Sequence, residues 1–525
     1  MKSLQRFARR FLSTRPGRTP RPDRRRQVAR VEGLERREVM AAIATPPIFQ
    51  NPFMAANGFS EIHLNSAQTD TSSVVGPGGA TRRGVQQKLI GPLPDQIAGT
   101  IAFNSAGQLI TIDVGPKAGT LGRRTGHTLV LMDPQTLKVL AKASLPDQKN
   151  TNSGLSFAGG GYFYLDNQDR VVCVTADEQI RIYAVRRNKF VLARSYDLKP
   201  AINSVDRTLK NDDVLNSVLP DSSGNLWFIT GQGKVGYVVP ATGAIAITDL
   251  NAGKTPGDPG FETNTKSFAT DAEGGVYVVT DYALYRLQAG AGGTVATVWR
   301  TAYDRGTAIK PGQNQQGSGT TPTAFDDFAG NQFVAIADNA APLMHVNVYN
   351  RATGALVASQ AVFDTLPNRS DTENSLIAVD HSILVENNYG NSSVASTLGK
   401  RTTAPGFDRV DFDPTTGQSR VAWDNTQIAV PSVVSQLSTA DGLAYTYAKD
   451  ARGWYWAALN YQTGQVVSRA SIPWSTKLGG VLANNYYGGL TVGPNGTAYT
   501  GVFGGIVTWR PLSRPHPRAA AAHRP

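Results

Sequence analysis

The chain of 525 residues has a single cysteine, Cys173. One thiol excludes an intrachain disulfide, a vicinal cystine and any zinc site built on cysteine pairs. Cys173 lies in the apolar run VVCVT, so a buried core thiol is expected. No stretch of about 18 apolar residues occurs, which excludes a helical membrane span. The six histidines never show His-x-x-x-His spacing, and neither a Gly-x-Ser-x-Gly elbow nor a Gly-x-x-x-x-Gly-Lys-[Ser/Thr] loop is present. These absences remove the commonest signatures of zinc hydrolases, serine hydrolases and nucleotide enzymes.

Charge of one sign is also scarce where it would matter. The net charge is +12, but residues 1–38 hold 13 Lys or Arg against 4 Asp or Glu, and residues 510–525 add four Arg. The body between them is therefore close to neutral, and nucleic acid is not an expected partner. The head, residues 1–41, is rich in Arg and Pro and lacks an aliphatic face, so it reads as a disordered export leader. Arg9-Arg10-Phe11-Leu12 looks like part of a twin-arginine motif without the apolar core that should follow it. Val31 to Ala42 (VEGLERREVMAA) resembles the leader ending of large secreted bacterial proteins. That resemblance implies cleavage near Ala41–Ala42 and a secreted, periplasmic or cell-surface protein; a disordered cytoplasmic tail is the alternative. The tail, residues 511–525, is expected to be disordered.

What the chain does have is a repeat. Two strand-like runs around a tight turn recur as FNSAGQLITI at Phe103, LDNQDRVVCV at Leu165, PDSSGNLWFI at Pro220 and TDAEGGVYVV at Thr270. They return as FDDFAGNQFVAI at Phe325, AVDHSILVE at Ala378, STADGLAYTY at Ser438 and VGPNGTAYTG at Val492. Gly and Asn tolerate the positive φ of a hairpin turn, and the flanking Val, Ile, Tyr and Phe suit a packed sheet. The turn markers, Gly107, Asp169, Gly224, Gly274, Gly330, Ser382, Gly442 and Gly496, lie 50 to 62 residues apart. A second hairpin, often with a Thr-Gly corner, follows several of them, as at Met132, Val238, Tyr349, Phe412 and Leu459. Two hairpins per period make a four-stranded blade, so the expected fold is all-β, a single propeller of eight blades over 97–510. Seven blades is the rival, because the Ser382 copy lacks a turn glycine, and unrelated hairpins in a sandwich are a further alternative.

Residues 42–96 do not fit the repeat, and the last copy runs out of chain after about three strands. A ring must hide its edges, so a strand from this irregular segment is expected to complete the last blade, with the remainder lying across the ring.

In such a ring the inner strands and the loops that lead into them surround the channel. Here those loops are polar. The ligand-binding candidates are Thr320, Thr321, Asp338, Asn339, Glu373, Asn374, Glu386, Asn387, Asn388, Asn484 and Asn485, with His63 as a cap over the channel. Carboxylate and amide oxygens converging on one axis suit a hard cation such as Ca²⁺, or a sugar or peptide through hydrogen bonds. The Glu-Asn pairs at Glu373 and Glu386 are the expected metal ligands. The structural alternative is that these groups satisfy strand ends and hold channel waters.

Two resemblances add to this. The corner Asp413-Pro414-Thr415-Thr416-Gly417, with Trp423 six residues on, resembles the blade corners of pyrroloquinoline-quinone dehydrogenases. That family implies eight blades with a quinone and Ca²⁺ on the axis; its vicinal cysteine pair is missing here. The stretches AGGGYFYLD, LPDSSGNLWFI, GSGTTPT, TENSLI, VENNYG and PSVVSQLST resemble a family of uncharacterised secreted bacterial propellers, over roughly residues 50–510. The leading expectation is a monomeric binding or scaffold propeller for a small molecule, polysaccharide or protein outside the cytoplasm. A quinone-dependent oxidoreductase and a Ca²⁺-dependent lactonase or esterase are the alternatives.

Overall fold

Eight antiparallel sheets follow one another along the chain in the computed structural model, which describes residues 41–80, 83–89, 96–117, 124–149, 157–205 and 213–512. The expected leader, up to residue 40, and the expected tail from residue 513 lie outside the described residues. Blade 1 runs Ile97–Phe103, Leu109–Pro116, Arg124–Met132 and Val139–Ser144, each strand pairing with the next. Blades 2 to 6 repeat this order, with inner strands Phe163–Leu165, Leu215–Pro220, Ala269–Thr270, Thr323–Asp326 and Ile377–Val379. The inner strand of blade 7 is Gln436–Ser438 and that of blade 8 is Leu490–Val492. The protein is therefore an eight-bladed β-propeller, and the seven-bladed and sandwich alternatives fall away.

The outer strand of blade 8 comes from the other end of the chain. Arg83–Leu89 pairs antiparallel with Gly505–Pro511, as the shortage of C-terminal strands predicts. The ring closes tightly between blades 8 and 1, where a Cβ on Gly501 would lie 1.7 Å from the Ala98 carbonyl oxygen.

The turn chemistry explains the register. Seven of the eight marker positions have positive φ, among them Gly107 at 72° and Asp169 at 57°. In blade 6 the left-handed residue is Asp380 (φ 51°), not Ser382, and the two-residue turn Asp380-His381 joins Val379 to its partner Ser382. A short polar side chain takes the glycine's place there. Corner glycines do two jobs. Gly354 and Gly464 have φ of 73° and 69°. A Cβ on either would also lie within 2.6 Å of the indole of Trp299 or Trp423, each on the outer strand of the preceding blade. Those indoles donate to the carbonyls of Arg351 and Tyr461, both at 2.9 Å. Each such tryptophan therefore pins one blade to the corner of the next. Cys173 is fully buried in the second strand of blade 2, as expected.

The segment before blade 1 crosses the ring and then fills it. Asn51 donates to the Pro220 carbonyl of blade 3 at 2.8 Å, Met54 bridges to Asp166 of blade 2, and Phe59 accepts from Phe103 of blade 1 at 3.0 Å. Every residue from Phe59 to Ser72 is buried. Their carbonyls cap successive inner strands. Ser60 accepts from Leu165, Ser66 from Thr270, Ala67 from Ala324 and Asp70 from Leu437, at 2.7–2.9 Å. Thr71–Ser72 then runs parallel to the inner strand of blade 7. The innermost strand of any blade has one unpaired edge, and this plug satisfies it from within the channel.

Candidate functional site

The outer-to-inner connections of the blades, together with the loops between second and third strands, share one face of the ring. The predicted site residues divide there into three groups.

The first group closes loops. Asn387 donates to the carbonyls of Arg369 and Pro405 at 2.9 and 3.2 Å. Asn388 donates to Val430 at 3.0 Å and accepts from the Glu373 amide at 2.8 Å. Asn485 donates to Gly488, Thr500 and Gly501, all within 2.9 Å, and Asn484 donates to Thr397 at 2.7 Å. Asp338 holds the amides of Ala340 and His345 and the side chains of His345 and Asn347. Asn339 donates to Arg305 and Ala308, while the Thr320 hydroxyl meets Ser318 and the Ala337 amide. Thr321 is buried beside them. These side chains meet the backbone demand that polar loops create.

The second group is a buried cluster where the plug meets blade 6. The His63 ring nitrogen Nδ1 lies 3.1 Å from Asp70 and 2.7 Å from the Ser375 hydroxyl, and Ser375 also donates to Asp70. Ser, His and Asp are assembled here, but serine and aspartate engage the same nitrogen. A proton relay needs them on opposite nitrogens, so this is not a hydrolytic triad. Glu61 accepts from the His63 amide at 2.9 Å. Glu386 accepts from Asn374 and from Ser435, whose hydroxyl also meets Thr446 at 2.8 Å. Burial pushes Glu61 up to about 8; His63 pulls it down and Asp70 adds to the rise. Burial likewise pushes Glu386 up to about 8, against its donors and with the Asp70 charge adding to the rise. At neutral pH both glutamic acids keep their protons. Burial would lower the His63 pKa, but Asp70 beside it reverses the sign.

The third group is buried where the loops leading into blades 4, 5 and 6 meet, on the loop-bearing face that forms the mouth of the ring. Glu373 is 8 % exposed and forms an ion pair with Lys266, while Asn314 donates to the same oxygen, Oε2, at 2.7 Å. Its other oxygen, Oε1, has no partner. Two residues earlier Asp371, 1 % exposed, has no partner on either carboxylate oxygen, and neither amide atom of buried Gln315 has one. Burial, and then the neighbouring Glu373 charge, raise the Asp371 pKa well above the usual range. The Lys310 ammonium donates to the carbonyls of Ala340 and Ser370, at 2.6 and 3.1 Å. Burial lowers its pKa. Tyr487 donates to the Gly312 carbonyl at 2.9 Å, and it follows Tyr486 with both residues at positive φ. Two bulky residues in that region mark backbone held against its preference.

Glu373 and Glu386 thus have separate partners, Lys266 at the mouth and the plug cluster within, and they do not form the shared site expected of them. Asp371, Gln315, Glu61 and Asp70 were not among the sequence candidates. The alternation Asp371-Thr372-Glu373 was the available signal, since residues two apart in extended chain face the same way. Among the described residues no three His, Cys, Asp or Glu side chains gather as a metal cluster.

With this geometry in place, comparisons with known proteins fix the fold alone. No described protein family matches the sequence. An uncharacterised protein of Archaeoglobus fulgidus is 26% identical over 310 residues, covering 54% of this chain. The match spans 58% of that protein's length. Among solved structures, the quinohemoprotein alcohol dehydrogenase ADHIIG of Pseudomonas putida HK5 superposes with a TM-score of 0.51 at 12% identity, covering 88% of this chain and 82% of that one. The likeness is one of fold. A europium-containing methanol dehydrogenase follows with a TM-score of 0.46 at 13% identity, covering 84% and 89%. Chaetomium thermophilum Sqt1, bound to the N-terminus of ribosomal protein L10, scores 0.49 at 14% identity, covering 83% and 100%.

The residues on the axis do not fit a quinone. The plug occupies the channel, the one thiol is buried in blade 2, and Trp227, Trp454, Trp456 and Trp509 are buried in the blade cores. No helix among the described residues is long and apolar enough to cross a membrane.

Proposed function

We propose that this propeller is a ligand-binding protein acting outside the cytoplasm, with its site at the mouth formed by Lys266, Gln315, Asp371 and Glu373. One observation carries the reading. Most polar side chains around the mouth are paired, yet the two oxygens of Asp371, Oε1 of Glu373 and both amide atoms of Gln315 are buried without partners. Unsatisfied buried groups each cost about 1–3 kcal/mol and concentrate where something else completes them. The strained Tyr486-Tyr487 pair beside them supports the same place. A binding role also suits a channel sealed by its own chain and a histidine cluster without relay geometry. The extracytoplasmic location rests on the Arg-rich head and the small residues at Ala41–Ala42.

The test is a thermal-shift screen of the full chain against CaCl₂, pyrroloquinoline quinone and neutral and acidic sugars, with Asp371→Asn in parallel. A ligand selective for the native state raises its Tm. A rise in the wild type that Asp371→Asn abolishes supports the site; a rise that survives the substitution, or none with any compound, overturns it. Cell fractionation and N-terminal sequencing check the location, and an intact head in the cytoplasmic fraction would refute it.

A further inference from the structure

The chemistry of the mouth narrows its ligand. We propose that the unpartnered oxygens of Asp371, Glu373 and Gln315 form a binding site for a hard divalent cation of the Ca²⁺ class. This rests on the mouth being the binding site.

The free groups are mostly acceptors. Asp371 offers Oδ1 and Oδ2, Glu373 offers Oε1 and Gln315 offers Oε1, four side-chain oxygens without a donor. Ca²⁺ takes six to eight oxygens, commonly carboxylate, amide and backbone carbonyl together. A backbone carbonyl is to hand. A Cβ built on Gly312 would lie 2.9 Å from both Asp371 Oδ1 and the Asn388 carbonyl oxygen, so those two oxygens border one point. A Cβ on Gly319 would come within 2.8 Å of Glu373 Oε1. Glycine at 312 and 319 keeps side-chain atoms away from the free oxygens on both sides.

Two lysines lie close enough to compete, and both have other partners. Lys266 is paired with Oε2 of Glu373, the oxygen not offered to the cation. Lys310 directs its ammonium at the carbonyls of Ala340 and Ser370. The Asp371 carboxyl is left with neither a donor nor a counter-charge in contact, a costly state in a buried site that a bound cation relieves. The enclosed setting favours an ion over a bulkier ligand. Glu386 has both oxygens engaged by Asn374 and Ser435 and takes no part.

Tb³⁺ substitutes for Ca²⁺ in oxygen sites and is sensitised by nearby tyrosines. Burial raises the pKa of Tyr162, Tyr486 and Tyr487, and the Glu373 charge adds to the rise in each, which places all three within its field. The experiment is a titration of chelator-treated full chain with TbCl₃, followed by displacement with CaCl₂, in the wild type, Asp371→Asn, Glu373→Gln and Glu386→Gln. Sensitised emission that CaCl₂ reverses is expected in the wild type and in Glu386→Gln. Affinity should fall at least roughly tenfold in Asp371→Asn and Glu373→Gln, since even outer-shell changes at metal sites cost about 10–100-fold. Asp371→Asn should melt close to the wild type without metal, because it exchanges one buried unpaired polar group for another of the same shape, and should gain nothing from CaCl₂. Emission unchanged in Asp371→Asn, or absent from a folded wild type, overturns the cation. A sugar-dependent Tm rise that needs Asp371, with no response to CaCl₂ or TbCl₃, overturns the cation but keeps the binding mouth; no response to anything removes both.

Discussion

Glu386→Gln offers the sharpest test of the buried cluster. Its folded pKa of about 8 lies above the ordinary 4.5, so the native state holds a proton that the unfolded chain releases sooner. The sign follows from that proton. Stability is fully present below about pH 4.5, declines as pH rises and levels off above about pH 8. At ~1.4 kcal/mol per pH unit, the span from 4.5 to 8 amounts to roughly 5 kcal/mol. Glutamine has the shape of the neutral acid. Ser435, which donates to Glu386, can turn its proton to Thr446 at 2.8 Å and accept from the glutamine amide instead, while Asn374 still donates to the remaining oxygen. Urea denaturation across pH 5–9 should find the two proteins within about 1 kcal/mol at pH 5, as expected when hydrogen bonds are conserved. At pH 9 the variant should be the more stable by several kcal/mol. It should still lose stability above neutrality, because Glu61 titrates in the same range. Parallel pH profiles for the two proteins, or a variant weakened by more than about 2 kcal/mol at pH 5, would refute the reasoning.

The remaining predictions concern the mouth, the seam and the thiol. Lys266→Met leaves Glu373 buried without its ion-pair partner, and should cost about 3–5 kcal/mol in urea denaturation. Adding Glu373→Gln should recover most of that loss, and a double mutant no better than the single would show that the pair is not what Lys266 serves. Gly501→Ala forces a methyl into the Ala98 carbonyl at the ring seam, so its midpoint should fall by more than any surface Gly→Ala control, on the scale of a severe core lesion of about 3 kcal/mol or more. Burial pushes the Cys173 thiol up to about 12; it should resist iodoacetamide in the native protein and react at once in denaturant, and native labelling would contradict its placement.

The blades were legible because their chemistry is local. A turn residue able to hold positive φ, a β-prone run on either side and a Thr-Gly corner are read within a dozen residues, and they recur. Even the weak sixth copy obeyed the rule through Asp380, two residues from where a glycine count looks. The closing strand was legible by subtraction, from a last blade short of one strand. The plug was not. Phe59 to Ser72 has neither period two nor period 3.6, because its carbonyls serve several different blades and its side chains pair with one another. Glu373 and Glu386 are close in sequence, yet one sits on a loop and the other ends a second strand, with different partners. Sequence distance reveals nothing of which way a loop carboxylate turns. Asp371 carries no signal beyond its place two residues before Glu373, and its unpaired oxygens are what distinguish it.

The outer strand of blade 8 has a consequence for how the molecule is made. Gln86 faces Thr508 across that sheet, 422 positions away. A ribosome must therefore finish nearly every blade before the circle can shut, while the stretch that seals it waits from the outset. Contacts so distant in sequence slow folding, and until they form the nascent arc exposes two raw sheet faces. The growing chain needs shelter from self-association during that interval, which makes the period before closure the vulnerable one in its life.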